Sequence, residues 1–355
     1  MHHFTWHVEG AGSYSELRFR CIRRLSFRYH DENGLGTIPP EVVSSLDHEL
    51  KVFAEFGVLG ALVRLAEMWE PVASQNAPWA VQGSAASSLV LFGIGMLPFC
   101  PADHRLLFDR FVVAFRERRL EIDIVVSPEV MAIFRGLPVP GDTGTVEGIA
   151  LRLIEYPTLD GHLHWEKVQP SLRPPSKDQV QQIIAGLQTN AARDLDFIST
   201  GLDFVAAVQP ITFEDFVICQ QLDDPGRISA GWPERVRRSR DERAAAPQTG
   251  EIDAGVLLQA RGLPMFQEDL MAILSRFGGL DPIDAYRLVS AMALHRTETV
   301  RQGEQAFIEG AARNGLSRPH AESLFEIVSQ GAPLATCKAH AISMAYLTAG
   351  LALGG

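Results

Sequence analysis

Apolar side chains recur at helical spacing over residues 14–30 and again over 40–70, where Val43, Leu46, Leu50, Phe53, Phe56 and Leu59 trace one face. Two helices separated by a glycine-rich turn are predicted. The period then changes. Trp79-Ala80-Val81 reads as a short strand, and the small residues from Gln82 to Val90 open a helix. Leu120 to Val126 alternates and then becomes uniformly apolar, as a strand buried on one side does, so Glu121 and Asp123 fall on one face. A second strand is predicted over Ile149–Tyr156 and carries Glu155, with a glycine- and proline-marked connection, Gly136 to Gly144, between the two. From about residue 175 onward the pattern is helical, interrupted at Pro210, at Pro225-Gly226 and by a polar loop over 239–255. The expected fold is α+β, with a mixed layer over 1–165, an all-helical unit over 175–355 and a join at 163–175.

Composition narrows the class. With 355 residues and 46% hydrophobic content, the chain is long enough to bury a sizeable core. No stretch approaches the ~20 apolar residues of a membrane span, and Met1 to His7 lacks a signal-peptide pattern, so a cytoplasmic protein without a membrane partner is expected. Cys21, Cys100, Cys219 and Cys337 form no CxxC pair, which argues against a disulfide framework and a structural zinc site. The net charge of −11 disfavours nucleic acid as a partner. Three basic runs stand against it: Arg18-Phe19-Arg20 with Arg23-Arg24, Arg116 to Arg119, and Arg235 to Arg240. Each reads either as a solvated helix face or as a nucleic-acid patch. His162, His164 and Glu166 alternate, as a metal site near Glu155 or a polar edge strand would. Cys337 and His340 sit three residues apart, which fits either a thiolate activated beside Lys338 or a buried small residue.

Several blocks carry a more specific signal. Gly83-Ser84-Ala85-Ala86-Ser87-Ser88-Leu89-Val90, Leu106-Leu107-Phe108-Asp109-Arg110-Phe111 and Glu121-Ile122-Asp123 are followed by Pro210-Ile211-Thr212-Phe213-Glu214-Asp215 and Pro225-Gly226. Phe266-Gln267-Glu268, Ala291-Met292 and Lys338-Ala339-His340-Ala341 complete the series. In this order the blocks resemble the catalytic core of bacterial family-C polymerases, the DNA polymerase III α type, over nearly the whole chain. The resemblance implies a polymerase-like palm, of the nucleotidyltransferase type, with a large helical fingers-like unit. It makes Glu121 and Asp123 the paired catalytic carboxylates and places a third acid on a neighbouring strand, where pattern and position select Glu155. Such acids hold two divalent ions, Mg²⁺ or Mn²⁺, around an in-line phosphoryl displacement. Gly83 and Ser84 become a phosphate-binding turn whose backbone N–H groups are unencumbered. Gln267 falls in the family's YQEQ segment, and Lys338 and His340 in its NKSHA turn.

The departures from the family are as informative. Gln82, Asp224, Val289, Ser290 and Cys337 stand where the family carries Arg, Arg, two Arg and Asn, and Leu294-His295 replaces its lysines. Each charge-assisted contact to a triphosphate is worth ~1.5–3 kcal/mol, so losing several cripples nucleotide binding. The family's thumb has no room between Ser127 and Val146, and its preceding nuclease-like domain and following clamp-binding modules are expected to be absent. Two readings follow. One is a non-replicative homologue that uses the former polymerase cleft for a repurposed, metal-assisted reaction on a small molecule. The other is a minimal nucleotidyltransferase, or a pseudo-polymerase accessory factor that binds DNA or a replication or repair partner.

Overall fold

The computed structural model describes residues 2–5, 14–30, 36–74, 78–112, 120–136, 149–155, 174–189, 201–222, 228–229, 231–245 and 266–353. Leu17, Cys21 and Leu25, one turn apart, form the buried stripe of the first helix, α1 (Tyr14–Tyr29). The region read as one helix over 40–70 is two, α2 (Pro40–Glu55) and α3 (Leu59–Ala73). Gly57 separates them at φ 73°, a conformation that favours glycine. Its N–H donates to Ala54 O and that of Val58 to Phe53 O, the paired bonds of a Schellman helix stop. Phe56 and Leu59 continue the apolar spacing across the break, so periodicity conceals it.

Strands β1 (His2–Thr5), β2 (Trp79–Val81), β3 (Leu120–Val126) and β4 (Ile149–Glu155) make one mixed sheet in the order β1-β4-β3-β2. The central pair β3–β4 is parallel, and both outer pairs are antiparallel. The three later strands lie where the alternation predicts them. β1 was not expected, because four residues offer too little alternation to read. Leu120, Ile122 and Ile124 on β3 and Ile149, Leu151 and Leu153 on β4 are all buried, which fixes the inner face. The fold is α+β.

The chain divides into two compact units, the first comprising 1–202, 210–217 and 342–355 and the second 203–209 and 218–341. In the first, Trp69 packs edge-on against Trp79 with ring centroids 5.5 Å apart, and Trp79 Nε1 donates to Met96 O at 2.8 Å. Helix α4 (Leu89–Gly93) crosses α1 at Gly93, where an added Cβ would come within 2.7 Å of Cys21 Cα. The same unit includes the short helices α5 (Asp109–Val112) and α6 (Pro128–Gly136), and α7 (Lys177–Thr189). A second cluster joins distant segments: Tyr346 stacks on Phe99 at 4.8 Å, meets Phe213 edge-on at 4.7 Å and shares a hydrogen bond of 3.1 Å with His104 Nε2. Tyr346→Phe keeps the stacking and removes that bond, so a loss of about 1 kcal/mol is expected in urea melts. No loss would show that the bond is not formed in solution.

Helices α8 (Gly201–Val208), α9 (Phe213–Gln221) and α10 (Trp232–Ala245) precede a four-helix group. This group, in the second unit, is α11 (Gln267–Gly278), α12 (Pro282–Ala293), α13 (Thr297–Arg313) and α14 (Arg318–Gly331). Helices α11 and α13 approach backbone to backbone at Gly278 and Gly310. The last helix, α15 (Lys338–Leu353), spans the division between the units at residue 342. Among the described residues, no helix is long and apolar enough to cross a membrane. All four cysteines are free thiols.

Candidate functional site

The pairing of the two central strands decides which side chains meet. Glu121 lies opposite Ala150, Asp123 opposite Arg152, and Val126 opposite Glu155. Partners on parallel strands point the same way and side chains alternate along each strand, so Glu121, Asp123 and Arg152 share the outer face. Glu155 falls on the other face, in phase with the buried Ile122 and Ile124. The expected convergence of Glu121, Asp123 and Glu155 is therefore corrected: an arginine, and not a third carboxylate, stands beside Asp123. Arg152 Nη2 donates to Asp123 Oδ2 in an ion pair between two half-buried side chains. Such a pair stabilises the fold by only ~0–1 kcal/mol, but it occupies the carboxylate.

A family-C palm calls for Mg²⁺ or Mn²⁺ between three carboxylates, and the sheet brings only Glu121 and Asp123 to one face. Magnesium takes octahedral oxygen ligation from one or two carboxylates together with substrate phosphates. Here Asp123 is held by a cation and Glu155 faces away. Among the described residues, no group of three His, Cys, Asp or Glu side chains is placed to hold a metal ion.

The Gly83-Ser84 turn does lie beside Asp123, because Gln82 N donates to Asp123 O at 2.7 Å. Gly83 has φ 67° and opens a single 3-10 stretch, Gly83–Ser87, in place of the expected helix start. The helix N-terminus comes later, at α4, and is already filled. Glu49 from α2 accepts from Leu89 N at 2.9 Å, Val90 N at 3.1 Å and Ser88 Oγ at 2.8 Å. Ser88 Oγ in turn accepts from Leu91 N at 3.2 Å. Burial pushes the Glu49 carboxyl up to about 8 despite these donors.

The second unit repeats the device. Glu268 on α11 accepts from Lys338 N at 2.8 Å, Ala339 N at 3.4 Å and Cys337 Sγ at 3.5 Å at the start of α15. Cys337, half-buried, thus donates to Glu268. Gln267 N donates to Thr336 O at 2.8 Å, and its side chain reaches Ala335 O at 3.5 Å. Lys338 is half-buried, and burial lowers the pKa of His340 below the ordinary imidazole value. Gln267, Lys338 and His340 belong to the second unit, and Gly83, Ser84, Glu121, Asp123 and Glu155 to the first. Val289, which the resemblance sets in place of an arginine, is buried in α12. Arg116 to Arg119, His162, His164, Glu166 and Asp224 lie outside the described residues.

Two family models match parts of the chain. Residues 15–131 match the bacterial DNA polymerase III alpha NTPase domain, and residues 198–315 the bacterial DNA polymerase III alpha subunit finger domain. The chain belongs to the bacterial DNA polymerase III α family. Its similarity to individual relatives is modest. It is 26% identical over 145 residues to the DNA polymerase III subunit alpha of Halalkalibacterium halodurans, covering 41% of this chain and 13% of that protein. It is 32% identical over 151 residues to the error-prone DNA polymerase 1 of Rhizobium meliloti, with the same coverage. With the error-prone DNA polymerase of Mesorhizobium japonicum it shares 28% over 176 residues, or 49% of this chain and 16% of that one. The chain thus spans a small fraction of the length of the curated relatives it matches.

Within this polymerase III α relative, sequence reasoning missed Arg152 and Glu49. The signal for Arg152 was its phase: counted from Ile149 it falls on the face that Asp123 takes on β3. The signal for Glu49 was an acid set between the buried Leu46, Leu50 and Phe53 of one helix.

Proposed function

We propose that this chain is a polymerase-derived protein that does not copy DNA. The observation that carries the reading is the Asp123–Arg152 pair at the centre of the sheet. In a polymerase palm, carboxylates on neighbouring strands clamp two divalent ions around the attacking and leaving oxygens. Here a tethered guanidinium neutralises the carboxylate, and a positive charge in contact with a metal ligand opposes the binding of a second cation. The burial of Val289 supports the same reading, since that side chain serves the helical core and not a triphosphate. On this reading the sheet-bearing unit and the helical unit are kept as a scaffold, and the protein acts on or binds a small molecule.

The test is primer extension with Mg²⁺ and with Mn²⁺ at high enzyme and nucleotide concentrations, with Asp123→Asn as the blank. No template-directed extension above the blank is expected. Calorimetric titration with Mn²⁺ is likewise expected to give no binding that Asp123→Asn removes. Extension above the blank would overturn the proposal and favour a minimal nucleotidyltransferase.

A further inference from the structure

The basic run on α1 lines a cavity remote in sequence from the strand carboxylates. Arg20, Arg23, Arg24 and Phe27 follow one another at i, i+3, i+4 and i+7, so they share a helix face. That face forms one wall of a cavity of about 230 Å³. Ala66, Glu70 and Ala73 of α3, with Gly93, Ile94 and Gly95, complete its lining. Gly95 is needed there for its φ of 89°, and a Cβ on it would come to 3.9 Å from Arg24 Nη1.

The charges around this cavity are incompletely matched from within. Arg20 is paired with Glu16 at 3.0 Å. Arg24 lies over the Phe92 ring at 5.1 Å, and its Nη2 donates to Leu97 O at a long 3.4 Å. Its Nε is buried with no hydrogen-bond partner. Burial holds the guanidinium down at about 10, still fully charged at neutral pH. Arg23 and Glu70 are both exposed and line the same cavity, yet they form no ion pair with each other. A cavity of this volume is smaller than the ~300–1,000 Å³ of pockets that take drug-sized ligands.

We infer that this cavity binds a compact zwitterion, its oxyanion head on Arg23 and Arg24 and its ammonium on Glu70, with an apolar body against Phe27 and Ile94. A guanidinium presents its donors in a planar fork that suits carboxylate and phosphate alike. An ammonium–carboxylate contact at Glu70 explains why an acid belongs in an arginine-lined cavity. A ligand with both charges satisfies Arg23 and Glu70, which are not paired with each other. The inference does not depend on whether the protein copies DNA.

Calorimetry on the full chain tests it with four probes: L-leucine and O-phosphoethanolamine as zwitterions, acetate and inorganic phosphate as the matching bare oxyanions. At least one zwitterion is expected to bind tenfold or more tightly than the oxyanion with the same head. The two pairs distinguish a carboxylate head from a phosphate head. Arg23→Ala is expected to weaken binding at least tenfold, and Glu70→Gln to erase the advantage of the zwitterion while leaving the oxyanion unchanged. Both side chains are exposed, so neither variant threatens the fold, as a thermal melt would verify. No binding by any probe, equal binding of zwitterion and oxyanion, or unaltered affinities in the two variants would overturn the inference.

Discussion

Glu49→Ala is expected to lower stability by roughly 3–5 kcal/mol, since it strips the partner from three buried donors at ~1–3 kcal/mol each. Leu89 N, Val90 N and Ser88 Oγ all donate to this one carboxyl, which is buried. A conservative Glu49→Gln variant probes the charge. In the folded protein the Glu49 carboxyl is pushed up to about 8, from 4.5 as an ordinary carboxyl. Between those values the folded state holds a proton that the unfolded chain has released, so its contribution favours folding at low pH and is progressively lost as pH rises to about 8. Urea melts of the parent and Glu49→Gln at pH 5, 6.5 and 8 isolate this effect from other titrating groups. The parent is expected to lose stability relative to the variant across that range. A constant difference would mean that Glu49 is ionised throughout.

Gly310→Ala is expected to destabilise the helical unit by about 1–3 kcal/mol or more, the range of overpacked cores. A Cβ at this position would meet the carbonyl group of Gly278, whose carbon lies 2.7 Å away. Both partners are helix backbone, so no side chain can turn aside. The intrinsic preference of helices for alanine over glycine, about 1 kcal/mol, acts in the opposite direction. A net loss therefore reports the steric contact alone. A melting temperature at or above that of the parent would show that α11 and α13 do not approach this closely.

Features that depend on a single local period were legible in the sequence. β3 and β4 formed where the strand pattern placed them, and the first helix within 14–30, where apolar residues recur at helical spacing. Features that depend on which segment lies beside which were not. Glu155 was chosen as a third carboxylate because it sits on the right strand, although it is in phase with Ile149, Leu151 and Leu153 and so falls on the buried face. The phase of Arg152 was likewise legible, but that it meets Asp123 depends on the register between β3 and β4. The break at Gly57 was hidden because apolar spacing runs across it, while the turn needs only one residue of positive φ. Family membership was readable because the order of many weak blocks survives the loss of individual residues. The chemistry was less so, because it rests on a few positions, and some of these have changed.

The composition of the first unit bears on how the protein is made. Its core includes Tyr346, stacked on Phe99 and bonded to His104, and residues 342–355 belong to it as a whole. Domains tend to fold from the N-terminus as they emerge during synthesis. This one has its sheet translated before residue 156, yet it must wait for almost 200 further residues before its last helical segment appears. Until that segment is made, Phe99 and Phe213 lack the ring of Tyr346 that packs against both, so this part of the core can close only after residue 346 has emerged.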